Sequence, residues 1–427
     1  MNLLVLFGSM AVLLALSIPI GIALGLSTAL TLALTSNIPL IMIAQTSFAA
    51  LDSFPLLAIP FFMLAGSLMS YGGISRRLVI LAETLVGQVT GGLAMVTTVA
   101  CMFFAAISGS GPATVSAIGS FMIPAMKEKK YDDDFAAALT AAAGSIGVII
   151  PPSIPFVIYC VVSGASVGEL FIAGVVPGII IGASLMLLSW FVAKKRGYPK
   201  SERREKSDAG LLRSVYDASW ALMVPVIILG GIYGGVFTPT EAAVVAVVYA
   251  LLIGKFVYRE LDLKTTIDAF REAVLVNGAT TFMVGLSMAF ASYLTMEQVP
   301  MKVGSYIVSV SSEPVVVLLL INAMLLVVGC FVDNISSMII LTPILLPVVK
   351  GFGVDPIHFG LVMTAALAIG FVTPPYGANL FVASAISGVP IDGISRRIVP
   401  IVGVMLLCLL LFTFFPSVSM GLVRLLR

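Results

Sequence analysis

The stretch GGLAMVTTVACMFFAAISGSGPATVSAIGSFMIPAM, residues 91–126, decides the architecture. It is apolar for 36 residues, well beyond the roughly 20 that a helix needs to cross a bilayer. Ser108-Gly109-Ser110-Gly111-Pro112 interrupts it near the middle. Arg76 and Arg77 precede it, and Lys127, Lys129 and Lys130 follow it. Basic loops collect on the cytoplasmic side of a membrane, so both ends of the stretch face the same way and a single crossing is excluded. The reading that remains is a re-entrant hairpin: a helix in, a glycine-rich tip, a helix back. Broken backbone at membrane depth is tolerated where protein buries it or where it lines a cavity.

Working outward, 59% of the 427 residues are apolar or aromatic and only 10% are charged, against roughly 25% charged in a soluble domain. That balance excludes a soluble enzyme, a nucleic-acid binder and a disordered chain. The apolar runs are long, which calls for helices rather than alternating barrel strands of about 10 residues. Cys101, Cys160, Cys330 and Cys408 stand singly, without a CxxC pair, and His358 is the only histidine. No disulfide frame, transition-metal centre or cofactor is expected. No Lys or Arg precedes Arg76, so the first run is read as a retained span rather than a signal peptide.

The candidate segments are 3–34, 38–51, 54–72, 91–126, 135–163, 170–193, 215–234, 240–258, 272–296, 314–349, 357–388 and 398–420. Segment 38–51 is short for a span. A third basic loop runs from Lys194 to Arg213. Reading 314–349 as a second hairpin, with its tip at Asp333-Asn334, leaves Lys302, Lys350, Arg424 and Arg427 as the only outward cations. Both termini are then expected on the periplasmic side.

The chain repeats itself at an offset of 223. Pro124, Pro151, Pro152 and Pro177 pair with Pro347, Pro374, Pro375 and Pro400; Gly147 pairs with Gly370, and Glu169 with Asp392. Random placement of 23 prolines in 427 positions gives about 0.3 such pairs for the six prolines from 112 to 177. Five crossings separate the copies, so the second is inverted. Inverted repeats with broken helices at mid-membrane are the architecture of secondary transporters. Stretches 73–90 and 299–313 are less apolar and read as interfacial arms or as ordinary surface loops.

Three places carry chemistry. The first tip, with Thr114 and Ser116 beyond it, offers carbonyls and hydroxyls to a hard monovalent cation, and the helix start after Pro112 suits a carboxylate. Small residues for close packing would look the same. Gly144-Ser145-Ile146-Gly147 and Pro151-Pro152-Ser153 interrupt 135–163, and two prolines free carbonyls that need a partner. Gly370 to Asn379 repeats that break opposite the tip Asp333-Asn334-Ile335-Ser336-Ser337. Asp333 occupies the position of Ser110 in the repeat. A carboxylate at bilayer centre costs roughly 2.5–3.5 kcal/mol, so it calls for a cation or a helix end; it also fits as a cap for Ser336. Thr238-Pro239-Thr240-Glu241 reads as a capping box, residues 127–134 as a solvated loop, and His358 as structural. An intramembrane enzyme lacks a nucleophile–base pair or metal cluster here.

PFFMLAGSLM (60–69), SGSGPATVSAIG (108–119), GVIIPPSIP (147–155), GGVFTPTEAA (234–243) and GFVTPPYGANLF (370–381) together resemble the large membrane subunit of tripartite ATP-independent periplasmic (TRAP) transporters, in its unfused form. The resemblance implies an all-α, inverted-repeat, elevator-type carrier in the bacterial inner membrane. Its scaffold would be 1–72 and 214–298, with arms at 73–90 and 299–313. The moving domain would be 91–193 (hairpin 91–126, broken helix 135–163, helix 170–193) and 314–427 (hairpin 314–349, broken helix 357–388, helix 398–420), with 194–213 a cytoplasmic loop. It further implies a small four-helix membrane subunit and a periplasmic binding protein as partners. Uptake of an organic acid such as sialic acid or a C4-dicarboxylate would be driven by Na⁺. Carried over by position, Na⁺ ligands would be Ser108, Ser110, Gly111, Gly144 and Gly147 in one half. In the other they would be Asp333, Asn334, Gly370 and Thr373. Substrate would lie near Ser153, Tyr376 and Asn379. A stand-alone ion-coupled carrier and a channel are the rival readings.

Overall fold

Ser17 and Pro19 divide the first apolar run. In the computed structural model it forms two helices, α1 (Asn2–Ala15) and α2 (Ile20–Thr35), which pack against each other. The expected single span over 3–34 is therefore corrected: Ser17 adopts a left-handed φ of 60°, and Pro19 has no N–H to continue a ladder. The structure describes residues 2–36, 38–198, 211–310, 313–374 and 377–426, without the side chains of 211–214 and 307–310.

Next come α3 (Ile41–Leu51), a 3-10 turn at Phe54–Leu57, and α4 (Ala58–Tyr71). Gly73, with a left-handed φ of 74°, opens α5 (Ile74–Val86). The hairpin is α6 (Gly92–Ser108) and α7 (Gly111–Glu128), packed on each other. The broken helix is α8 (Asp133–Gly144), a 3-10 turn at Ser145–Val148, a cis Pro151–Pro152 bond and α9 (Ile154–Ser163), followed by α10 (Val167–Arg196).

The second half opens with α11 (Leu211–Tyr233), then α12 (Pro239–Leu252), which runs into a π turn at Ile253–Val257. Both arms of the expected capping box are present: Thr238 Oγ1 accepts from Glu241 N, and Glu241 accepts from Thr238 N at 2.8 Å. The Asp262 side chain caps α13 (Leu263–Met296), so this helix starts nine residues before the apolar run at 272. Then follow α14 (Val299–Val310), the hairpin α15 (Pro314–Phe331) and α16 (Asn334–Gly351), and the broken helix α17 (Pro356–Gly370) and α18 (Ala378–Ser387). The chain closes with α19 (Ile391–Phe414) and α20 (Pro416–Leu426). Segment 398–420 is thus split as well, because the residue before Pro416 is pushed out of the helical region; Phe415 has φ −120° and ψ 79°. Among the described residues, eight helices are long and apolar enough to cross a membrane.

An offset of 223 maps α5–α10 onto α14–α19. The copies are not identical. Where α13 runs unbroken through Gly278, its counterpart is divided at Pro55 into α3 and α4.

The two halves interlock. The returning arm of each hairpin leans on the second part of the other half's broken helix, α7 on α18 and α16 on α9. Likewise α8 packs on α19 and α10 on α17. Helices α8 and α17 are buried along nearly their whole length. A second group forms where α2, α3 and α4 pack on α13 and α12 packs on α4; α4 meets α6 and α13 meets α16 across the boundary.

Residues 127–134 are more than a solvated loop. Asp132 pairs with Arg196; Asp134 accepts from Arg397 Nε at 2.6 Å; and Lys127 Nζ reaches Asp133 at 3.1 Å and the Ser387 carbonyl at 2.5 Å. Tertiary packing brings the ends of α10, α18 and α19 to this loop, which no local pattern foretells. His358 fulfils its structural reading: it is buried, with Nδ1 2.7 Å from Ser419 Oγ.

Candidate functional site

At the first tip, Gly109 takes a left-handed φ of 64° and ends α6; Ser110 then caps α7, its hydroxyl accepting from Ala113 N. Thr114, one turn on, donates to the Ser110 carbonyl at 2.8 Å and lies 2.9 Å from Ser108 Oγ. The broken helix docks directly on this tip. Ile154 N donates to the Gly109 carbonyl at 3.2 Å. A Cβ on Gly147 would collide with Thr114 Oγ1 and lie 2.6 Å from the Ser110 carbonyl, and one on Gly111 would lie 3.5 Å from the Gly144 carbonyl. Ser108, Ser110, Gly111, Gly144 and Gly147 therefore do meet. Their oxygens are neutral carbonyls and hydroxyls, donors that suit a hard cation.

Asn379, from the other half, completes this region. It is fully buried; Nδ2 donates to the Ala141 carbonyl at 3.2 Å, and Oδ1 lies 3.1 Å from the Cβ position of Gly111. Its own N–H is held by the Phe371 carbonyl. Ser153 is also fully buried, but its hydroxyl is engaged, donating to Val148 O at 2.6 Å and capping α9 at Phe156 N. Tyr376 lies outside the described residues.

At the second tip, Asp333 Oδ2 accepts from Ser336 N at 3.0 Å and so caps α16. The cap accounts for one oxygen only. Eleven buried side-chain polar atoms have no partner among the described residues, and five of them belong to residues 333–337: Asp333 Oδ1, Asn334 Oδ1 and Nδ2, Ser336 Oγ and Ser337 Oγ. Asn379 Oδ1 is another. Leaving a buried polar group unmet costs about 1–3 kcal/mol, so such a cluster marks a place built for something else. Gly370 packs against the first arm of this hairpin, its Cβ position 2.5 Å from Gly329 and 3.0 Å from Cys330 N. Thr373 turns its hydroxyl back to the Ile369 carbonyl at 2.7 Å.

Ser336 and Ser337 were not singled out as ligands, although the repeat carried the signal: Ser337 is the counterpart of Thr114. The contact of Asn379 with the first tip had no sequence signal, because the two lie in different halves.

Two re-entrant hairpins facing two broken helices, with polar atoms gathered at the breaks, define an inverted-repeat secondary transporter. Solved structures agree on the fold. The YdaH transporter of Alcanivorax borkumensis matches with a TM-score of 0.64 over 90% of this chain and 88% of that one, at 13% identity. MtrF of Neisseria gonorrhoeae matches at 0.59, over 88% and 84%, also at 13% identity.

The family model described as "Tripartite ATP-independent periplasmic transporter, DctM component" matches residues 7–418. The chain belongs to that family. It is 48% identical to the isethionate TRAP transporter permease protein DctMQ of Oleidesulfovibrio alaskensis over 97% of its length, and spans 65% of that relative. It is 42% identical to the C4-dicarboxylate TRAP transporter large permease protein DctM of Pseudomonas aeruginosa, over 88% of this chain and 87% of that protein. To the sialic acid TRAP transporter large permease protein SiaM of Vibrio cholerae it is 40% identical, over 97% and 96%. All three of these relatives are named as transporter permeases.

Proposed function

We propose that this chain is the large membrane subunit of an inner-membrane carrier that takes up an organic acid with Na⁺. A small membrane subunit packs beside it, and a periplasmic binding protein delivers the substrate. The observation that carries this reading is the cluster of unmet polar atoms at Asp333–Ser337, matched across the repeat by the carbonyl and hydroxyl set of Ser108, Ser110 and Thr114. Each tip offers oxygens to Na⁺, and Asp333 adds the one carboxylate. The starts of α7 and α16 lie at the two tips, and the partial positive charge of a helix start favours an acid's carboxylate.

The substrate is an acid of the kind the relatives' names print: isethionate, a C4-dicarboxylate or sialic acid. In an elevator mechanism the interlocked α6–α10 and α15–α19 unit moves against α1–α4 and α11–α13, with α5 and α14 as arms. Counting α1, α2 and the α3–α4 pair as three crossings keeps Arg76 cytoplasmic and the N-terminus periplasmic. One net charge moved through 100 mV supplies about 2.3 kcal/mol, and an ion shifts the equilibrium only by binding the two states unequally.

The test is labelled organic-acid uptake into liposomes holding this chain and its small subunit, with and without binding protein and with and without an inward Na⁺ gradient. Accumulation that needs both is the expected result. Uptake by this chain alone makes it a stand-alone carrier. Flux indifferent to the Na⁺ gradient overturns the coupling and favours a channel.

A further inference from the structure

At the start of α5 the fold builds a cavity of about 460 Å³ that the transport site does not use; Arg76, Arg77, Tyr216, Asp217, Trp220 and Glu260 stand in its wall. The wall is braced. Arg77 donates to Glu260 Oε1 at 2.7 Å and to the Gly73 carbonyl at 2.9 Å, and its guanidinium lies 3.7 Å from the Tyr258 ring centroid. Tyr258 donates its hydroxyl to the Asp217 carbonyl at 3.0 Å, and Tyr249 donates to the Trp220 carbonyl at 2.8 Å, which straps α11 to α12 and the turn after it.

These contacts pair the charges of Arg77 and Glu260 with each other. They leave two side-chain charges of opposite sign on one cavity without a partner among the described residues, the Arg76 guanidinium and the Asp217 carboxylate. Tyr216 and Trp220 beside them are 70% and 40% exposed, amphipathic rings of the kind that sit at headgroup level. Lys255, Arg259 and Lys264 share this end of the chain's helices with Arg76, so the positive-inside rule assigns the pocket to the cytoplasmic leaflet.

A simple anion in this pocket would face Asp217, and a simple cation would face Arg76. A dipolar group carrying a phosphodiester and a primary ammonium satisfies both. We propose that the pocket holds the headgroup of a zwitterionic aminophospholipid, phosphatidylethanolamine by chemistry. Arg76 takes the phosphodiester, where a guanidinium forms two parallel hydrogen bonds. Asp217 accepts from the ammonium, and the glycerol and first methylenes lie along Trp220 and Tyr216.

The experiment delipidates the full chain in detergent and measures retention of added lipids by native mass spectrometry. The probes are short-chain phosphatidylethanolamine, short-chain phosphatidylglycerol and chain-free glycerophosphoethanolamine. Wild type is expected to retain phosphatidylethanolamine up to about fivefold better than phosphatidylglycerol, because only its ammonium can pair with Asp217. Arg76→Gln lowers retention of both by about tenfold. Asp217→Asn, a surface change that leaves the fold intact, erases the preference by raising phosphatidylglycerol retention. Equal retention of the two lipids by wild type, or a preference that survives both substitutions, overturns the proposal. Equal binding of glycerophosphoethanolamine overturns the lipid assignment in favour of a soluble phosphodiester. Loss of phosphatidylethanolamine when the small subunit is added, with a Trp220→Cys cross-link to that subunit, overturns it in favour of a protein interface.

Discussion

At the first hairpin tip, Thr114 closes onto the Ser110 carbonyl and the Ser108 hydroxyl. At the second, Ser337 stands 223 residues further on in the same place in the repeat, and its hydroxyl meets nothing among the described residues. The first tip is neutral and internally satisfied, and Asn379 presses on it from the other half. The second carries Asp333 with one oxygen spent on a cap and the other unmet. Duplicated segments that share a helix–tip–helix layout have thus diverged in electrostatics, and in the tip backbone too, where Gly109 is left-handed (φ 64°) and its counterpart Val332 extended (φ −119°). Pre-formed order at one tip and unmet polarity at the other mean that ion binding should change the second tip more than the first.

The largest effect should come from Asp333→Asn. Asparagine keeps the cap on Ser336 but removes the charge, and a charged hydrogen bond is worth about 1.5–3 kcal/mol. We expect the Na⁺ concentration for half-maximal uptake to rise roughly 10–100-fold, while Ser110→Asp at the matching position should not restore it. Unchanged Na⁺ activation would break the contrast between the tips.

Gly147→Ala comes next. Its Cβ has no room beside Thr114 Oγ1, and overpacking costs about 1–3 kcal/mol. Uptake should fall by roughly tenfold or more, and Thr114→Ser, which removes a methyl but not the hydroxyl, should leave the collision in place. Full activity in Gly147→Ala would show that the first tip is looser than its contacts indicate.

Ser337→Ala against Thr114→Val sharpens the comparison further. Ser337→Ala deletes an unmet hydroxyl and should leave thermal stability in Na⁺-free buffer unchanged or slightly raised. It should also reduce the stabilisation that Na⁺ adds. Thr114→Val breaks two existing contacts and should cost about 1–2 kcal/mol with or without Na⁺. Equal shifts in both variants, measured by melting with and without Na⁺, would mean that the tips do not differ in the way described.

The smallest effect is expected from Arg397→Gln. Its pairs with Asp132 and Asp134 tie the two halves together but are partly exposed, and such pairs contribute about 0.2–1 kcal/mol. A shift in melting temperature that shrinks in high salt is the expected signature.

Much of this molecule was legible in the linear chain for definite reasons. A 36-residue apolar run between two basic loops leaves no solution but a hairpin. Double prolines break helices wherever they fall, so the ends of α8 at Gly144 and α17 at Gly370, each followed within a few residues by two prolines, were readable in the sequence. The capping box at Thr238–Glu241 is a local four-residue device and was readable as such. The splits at Ser17–Pro19 and Phe415–Pro416 were carried by prolines too, but an apolar average over a window hides a single breaker.

Local chemistry therefore determined which segments are helical, where they break, and that the chain is a duplicated membrane carrier. Tertiary structure alone decided who meets whom: α7 on α18, α16 on α9, Asn379 against Gly111, and Arg397 on Asp134. The physical reason is range. Helix formation and breaking depend on neighbours within a turn or two. The exchange of partners between halves depends on packing two interlocked surfaces, and no residue signals that in its own segment.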